Sequence, residues 1–438
     1  MRGSGSWQAL CLLLGLGLVG TAARASAAAD AGVDAGPAPT GRVQRQAALR
    51  ADAEKAYQAK RYSDAAALYR LAATGTKGPE GDLYNEACAW ALAGDADRAF
   101  AALDAAVGAG LADVTLVESD ADLASLRADA RWARTLAAVQ GNRRRLADPE
   151  RVRIVTSDLR HFWAAYDAAA REPARRAQLL QELYLDAGSA GLDDYFTTKI
   201  LSLDKLLDAL DRYPRFYAAA RGPTLTLEQA EPRMRALLRR FRELYPDAVF
   251  QDVTLVIGRL SSAGTASPHG LLIGAEYFSR TPDTPVDELP FGPRNILRGV
   301  DALPPVIVHE LVHFNQREPK DPRLLAYAIR EGSADFVTEL VAGTVPSPAL
   351  KAYGDAHQAE LWAAFQKDMQ GRESGAWMAN DATATPEHPA DLGYYVGYKI
   401  AQAFYARAPD KRRALAEMIQ VADFDAFLAR SGYGQTVK

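Results

Sequence analysis

Pro304-Pro305-Val306-Ile307-Val308-His309-Glu310-Leu311-Val312-His313 decides how the second half of this chain is read. Pro305 suits the first turn of a helix, where a backbone amide hydrogen is not needed. Val306, Ile307 and Val308 then form an apolar wall behind the polar residues that follow. His309 and His313 are four apart and share one helical face, so both imidazoles can reach one metal ion. Glu310 points beside that ion, where it can take a proton from a water. With 6 histidines in 438 residues, chance supplies on the order of 0.005 matches to this five-residue pattern. Coincidence is a poor account of it.

A second stretch, Glu331-Gly332-Ser333-Ala334-Asp335, supplies what the first lacks. Residues 314–320 are a short link that makes two helices antiparallel neighbours. Asp321 can cap the second helix and Pro322 can begin it. That helix carries Ala326-Tyr327-Ala328-Ile329 inward and brings Glu331 to the ion as third ligand. Asp335, one turn further on the same face, can accept the free ring N–H of a histidine and fix its tautomer. Asp335 as ligand with Glu331 in support is the alternative. Gly332 removes a side chain where the two helices come close. Three protein ligands with a fourth position open describe a catalytic zinc, whereas structural zinc sites close with four ligands and lean on cysteine. The expectation is one zinc ion on His309, His313 and Glu331, with Glu310 as base. Phe314-Asn315-Gln316-Arg317 carries neither the Gly nor the third His of a metzincin.

Other candidates are weaker. Tyr394 and Tyr398 lie one turn apart and can donate a phenol O–H to a developing oxyanion. Tyr398 is the preferred donor, His388 its rival, and plain core packing the competing role. Gly270-Leu271-Leu272-Ile273-Gly274 reads either as an edge strand that pairs with an extended peptide or as an ordinary core strand. His161, His269 and His357 have no partner spacing and are read as ordinary.

The rest of the chain is organised around these residues. A net charge of −4, with 24% charged and 48% hydrophobic residues, describes a globular protein with no bulk attraction to nucleic acid. Arg143-Arg144-Arg145 is read as a solvated helix end. Residues 1–27 read as a secretory signal: Arg2, an apolar run from Ala9 to Val19, then Ala23-Arg24-Ala25 and Ala25-Ser26-Ala27 as cleavage sites. An uncleaved anchor is the competing reading. Cleavage leaves no membrane-spanning segment and places the protein in the periplasm or the medium. Residues 28–45 read as a flexible linker of Ala, Gly, Asp and Pro. Cys88, the one cysteine left, reads as a packed thiol.

Residues 46–145 repeat with a spacing of 34: Ala65, Tyr69 and Ala72 align with Ala99, Leu103 and Ala106. Tyr57, Tyr62 and Gly94-Asp95 complete a pattern that resembles tetratricopeptide repeats, with an alanine-rich helical hairpin as the alternative. Two such units are marginal alone and are expected to pack on further helices; their groove is a candidate protein-binding surface. Beyond residue 150, helices are expected near 157–171, 174–186, 203–212 and 227–244. Strands are expected at 253–257 and 269–278, with a turn-forming link through Gly264 and Pro268. The fold class is α+β and mostly helical: helical repeats, then a domain of 150–438 with a small sheet.

The spacing of Glu331 and Asp335 after the histidine pair resembles that of the gluzincin peptidases. The sequence over about 155–430 is more similar to a bacterial family of predicted zinc-dependent peptidases. The resemblance runs through Phe162-Trp163, Tyr166, Gly258 to Glu276, both metal motifs and Gly393-Tyr394-Tyr395-Val396-Gly397-Tyr398. It implies that His309, His313 and Glu331 bind zinc, that Glu310 is catalytic, and that the substrate is a polypeptide. The 17 residues between His313 and Glu331 are one fewer than zinc aminopeptidases use. Gly274-Ala275-Glu276 is faintly similar to the aminopeptidase motif whose Glu binds a substrate amine. Two rivals stand beside the peptidase reading: a repeat scaffold with little turnover, and a zinc hydrolase of another amide or ester.

Overall fold

Alanine spacing and turn chemistry build the first part of the molecule. The computed structural model describes residues 41–380, 384–385 and 388–436; the expected signal and most of the linker lie outside them. Four helices form two hairpins: α1 (Arg42–Gln58) with α2 (Tyr62–Gly75), and α3 (Glu80–Leu92) with α4 (Ala96–Ala109). Ala65, Ala72, Ala99 and Ala106 are fully buried, and their methyl groups let the helices approach closely. The two turns have the same backbone bonds, offset by one repeat: Arg61 N to Ala56 O at 2.9 Å and Asp95 N to Trp90 O at 3.0 Å. Gly94 takes the left-handed conformation there with φ 82, and Lys60 takes it in the first turn with φ 59. A lysine in this region costs about 1–2 kcal/mol that glycine avoids.

The hairpins do not stand alone. Val117, Leu123, Leu126, Trp132 and Val139 extend the core of α3 and α4. Compact packing groups the described residues into 41–145 with 164–198, and 146–163 with 199–436. Residues 164–198, read above with the second domain, belong to the first: Asp193 holds the Arg42 guanidinium through two bonds of 2.7 and 2.6 Å. Residues 42–45, assigned above to the linker, are the first turn of α1. Cys88 is buried, and burial raises its thiol pKa well above the usual range. Arg143, Arg144 and Arg145 end a helix and are exposed.

The second unit carries one sheet of order β1-β2-β4-β3: β1 (Ile154–Val155), β2 (Val253–Val256), β3 (Gly264–Ser267) and β4 (Gly270–Gly274). β1, β2 and β4 run parallel to one another, and β3 runs antiparallel to β4. Every residue of β2 and β4 is buried, as expected of strands covered on both faces. The expected strand at 269–278 ends at Gly274, where Ala275–Phe278 tightens into a 3₁₀ turn. β4 is interior, so the edge-strand reading of Gly270–Gly274 is corrected: the outer strand on that side is β3. Its Gly-Thr-Ala-Ser sequence carries little β-propensity, and pairing with β4 overrides that.

Three helices frame the site. The histidine helix (Leu303–His313) has every residue buried, with Pro304 and Pro305 in its first turn. The carboxylate helix (Leu324–Ala342) begins two residues later than expected, and Asp321 instead bonds the backbone and guanidinium of Arg323. The tyrosine helix (Leu392–Arg407) crosses the carboxylate helix glycine against glycine. A Cβ on Gly332 would lie 1.9 Å from Tyr398 N, and one on Gly397 would lie 1.7 Å from Ala328 O. Gly332 therefore makes room for the tyrosine helix, not for the histidine helix as expected. No helix among the described residues is long and apolar enough to cross a membrane.

Candidate metal centre

His309 and His313 project from the buried histidine helix with their Nε2 atoms 3.0 Å apart. Glu331 enters from the carboxylate helix, its Oε2 lying 3.2 Å from His313 Nε2 and 3.5 Å from His309 Nε2. All three side chains are at most 5% exposed. Ligands about 2.0–2.1 Å from a tetrahedral zinc-sized ion stand about 3.3–3.4 Å from one another, and the edges of this triangle, 3.0, 3.2 and 3.5 Å, bracket that separation. Glu331 Oε2 is buried without a hydrogen-bond partner, a costly state for a carboxylate oxygen unless a cation meets it. The three residues can hold a metal ion.

What surrounds them keeps the Nε2 atoms aimed inward. Asp335 Oδ1 lies 2.8 Å from His309 Nδ1, on the far side of the ring from Glu331. Asp335 is therefore placed to orient the His309 ring and stands outside the triangle of His309, His313 and Glu331. Gln316 does the equivalent for the second ring: its Oε1 is 2.6 Å from His313 Nδ1, and its amide donates to Arg330 O at 2.8 Å. Arg330 Nη1 stands 3.6 Å from Glu331 Oε1, leaving the other oxygen to face the histidines. Orientation of this kind fixes tautomers and raises ligand basicity. Gln316 and Arg330 were not picked out from sequence. A polar residue just past the end of the histidine helix is the signal that marks Gln316.

Electrostatics separates the roles. Burial disfavours an imidazolium at both rings. At His309 the Asp335 and Glu331 carboxylates override burial and lift the pKa to about 10, while at His313 burial prevails and lowers it to about 4. Burial also opposes ionisation of Glu331, but the histidines and Arg330 hold it well below the usual carboxylate range. Glu310 is different: burial lifts its pKa to about 7 against the pull of His309. Its Oε1 is buried and makes no hydrogen bond. A carboxyl group with its pKa near neutrality beside two histidines can take up and release a proton.

A cavity of about 600 Å³ opens against this group, with His309, Asp335 and Tyr394 in its wall. The Tyr394 ring stacks on His309 at 6.2 Å and 17°. Burial, with the nearby carboxylates, holds its hydroxyl in the neutral, donating form. Tyr398, the donor preferred from sequence, is placed otherwise: its hydroxyl donates to Glu339 Oε2 at 2.6 Å and receives Gln402 at 3.0 Å. Both tyrosines sit on one helix, but Tyr398 is buried and packs edge-on against Phe336 of the carboxylate helix. His388 is exposed, in a backbone bridge to Thr385. Glu276 is fully buried and accepts the amides of Gly258 and Leu260 at 3.0 and 3.2 Å, so it braces a loop and is not free for a substrate amine. His161 sits 3.5 Å from Asp158 and His357 bonds Tyr353 O at 2.8 Å.

Comparison of the chain with protein-family models, curated proteins and solved structures gives no match in any of the three.

Proposed function

We propose that this chain is an exported zinc-dependent peptidase of gluzincin type, preceded by tetratricopeptide-like repeats. The observation that carries the reading is the buried triangle of His309, His313 and Glu331, with Asp335 and Gln316 behind the two rings. Two imidazoles and a carboxylate suit zinc, and a catalytic site wants three such ligands. Zinc held there supplies Lewis acidity towards a water and a carbonyl oxygen.

The chain's own groups then divide the proton work. Glu310, ionised above a pKa of about 7, takes a proton from the attacking water and returns it to the departing amine. Tyr394 is the group on the cavity wall suited to donate its O–H to the developing oxyanion, in the role first given to Tyr398. Asp335 and Gln316 hold the rings, and Arg330 restrains Glu331. The signal-like residues 1–27 support export to the periplasm or medium, and the paired hairpins support a protein partner at the repeats.

The test pairs chelation with one substitution. Purified protein carrying zinc should cut an unfolded polypeptide and stop when the metal is chelated. Glu310→Gln should keep zinc bound and lose turnover. Normal turnover in that variant refutes the base, and a zinc-loaded protein that cuts no polypeptide favours the scaffold reading.

A further inference from the structure

The cavity beside His309 says what kind of peptide the site takes. Its volume of about 600 Å³ falls within the roughly 300–1,000 Å³ usual for ligand sites. Roughly 150 Å³ of apolar space is enough for a benzene ring, so this cavity holds more than one bulky side chain. The polar members already described, His309, Asp335 and Tyr394, cluster around one ring. Most of the remaining wall is apolar, including Phe278, Ile296, Val306 and Leu350, with Arg298 and Asp391 as its further charged members.

Phe291 adds an independent observation. It lines the same cavity yet is 46% exposed, one of only four large hydrophobic side chains left so open among the described residues. It belongs to a short helix, Phe291–Ile296, that has no buried residue. The protein's own core therefore does not explain this ring. An apolar group held in water at the mouth of an apolar cavity beside reactive side chains fits contact with an apolar ligand.

Resting on the peptidase reading, we propose that the substrate is a polypeptide segment with two bulky apolar side chains next to the bond cut, both seated in this cavity. Charged side chains at those positions are disfavoured because a mostly apolar wall would strip their water, and its charged members Arg298 and Asp391 are already engaged with Pro346 O and Ala379 N. One side chain seated in apolar surroundings changes kcat/KM by tenfold or more.

The test is digestion of a blocked peptide library by the full chain loaded with zinc, with cut sites read by mass spectrometry. Sites flanked by adjacent Leu, Ile, Phe, Met or Trp should be favoured at least tenfold over sites flanked by Asp, Glu or Lys. Phe291→Asp and Leu350→Glu should lower kcat/KM tenfold or more on apolar peptides and less than threefold on small polar ones, with zinc stoichiometry unchanged. Cleavage with no apolar preference, or equal losses on both peptide classes, overturns this inference and leaves the peptidase standing. Cutting of no peptide by zinc-loaded protein overturns both.

Discussion

Replacing Gly332 by alanine tests whether the site depends on the crossing of the carboxylate and tyrosine helices. The added Cβ would lie 1.9 Å from Tyr398 N and 2.1 Å from Gly397 C. Those are backbone atoms, so no side chain can swing aside. Non-bonded heavy atoms need roughly 3.5 Å, so the two helices must part by about 1.5 Å. Overpacking a core costs about 1–3 kcal/mol, and obstruction by backbone on the facing helix puts this case at the upper end, about 3 kcal/mol. In a unit of this size that lowers Tm by roughly 6–12 °C. The same movement carries Glu331 and Asp335 away from the histidines on one side and Tyr394 on the other, so metal affinity should fall too. Gly397→Ala should behave alike, its Cβ meeting Ala328 O at 1.7 Å. The control is Gly108→Ala, at a helical position with open space around it. It should leave the protein unchanged or stabilise it by about 0.5–1 kcal/mol. Thermal melts by circular dichroism, with zinc titration of the folded variants, are the assay. Gly332→Ala within 1 °C of the wild type and with normal zinc affinity would refute the packing argument.

Three further outcomes follow from the geometry. Asp335→Ala and Gln316→Ala should each weaken zinc binding about 10–100-fold while the fold is retained, measured by competition with a chelating dye; unchanged affinity would mean the rings hold themselves. Zinc uptake should release a proton, because Asp335 and Glu331 keep His309 protonated up to a pKa of about 10 in the metal-free protein. Below that pH the proton competes with the metal, so affinity should rise about tenfold per pH unit between pH 6 and 9 in calorimetry, and a flat profile contradicts it. Tyr394→Phe should cut kcat about 100-fold with zinc retained, whereas Tyr398→Phe should leave kcat nearly unchanged and lower Tm; the reverse ranking would return the oxyanion role to Tyr398.

How much of this was legible follows from what each feature depends on. The clustering of His309, His313 and Glu331, with Asp335 behind one ring, was legible because these residues are fixed by spacing along two helices, and helical periodicity is a local property. The 34-residue offset was legible for the same reason, and it reappears in the shared turn bonds at Arg61 and Asp95. Features set by which element packs against which were not. Choosing between Tyr394 and Tyr398 requires knowing how the tyrosine helix is rotated against the carboxylate helix. Gly332 announces a close approach without naming the neighbour. β3 carries no strand signal of its own and exists because β4 offers it a partner. Glu276 was attractive by sequence similarity, yet its two backbone donors come from residues 16 and 18 positions earlier. Residues 164–198 look like any amphipathic helices until Arg42 is seen to hold Asp193.

The most direct measurement is X-ray absorption at the zinc edge of purified protein, with metal content determined on the same sample. The account predicts one zinc per chain, bound by two imidazole nitrogens and a carboxylate oxygen at about 2.0–2.1 Å, with His313→Ala abolishing the signal. Failure to take up zinc, or a zinc environment unchanged by loss of His313, would contradict it.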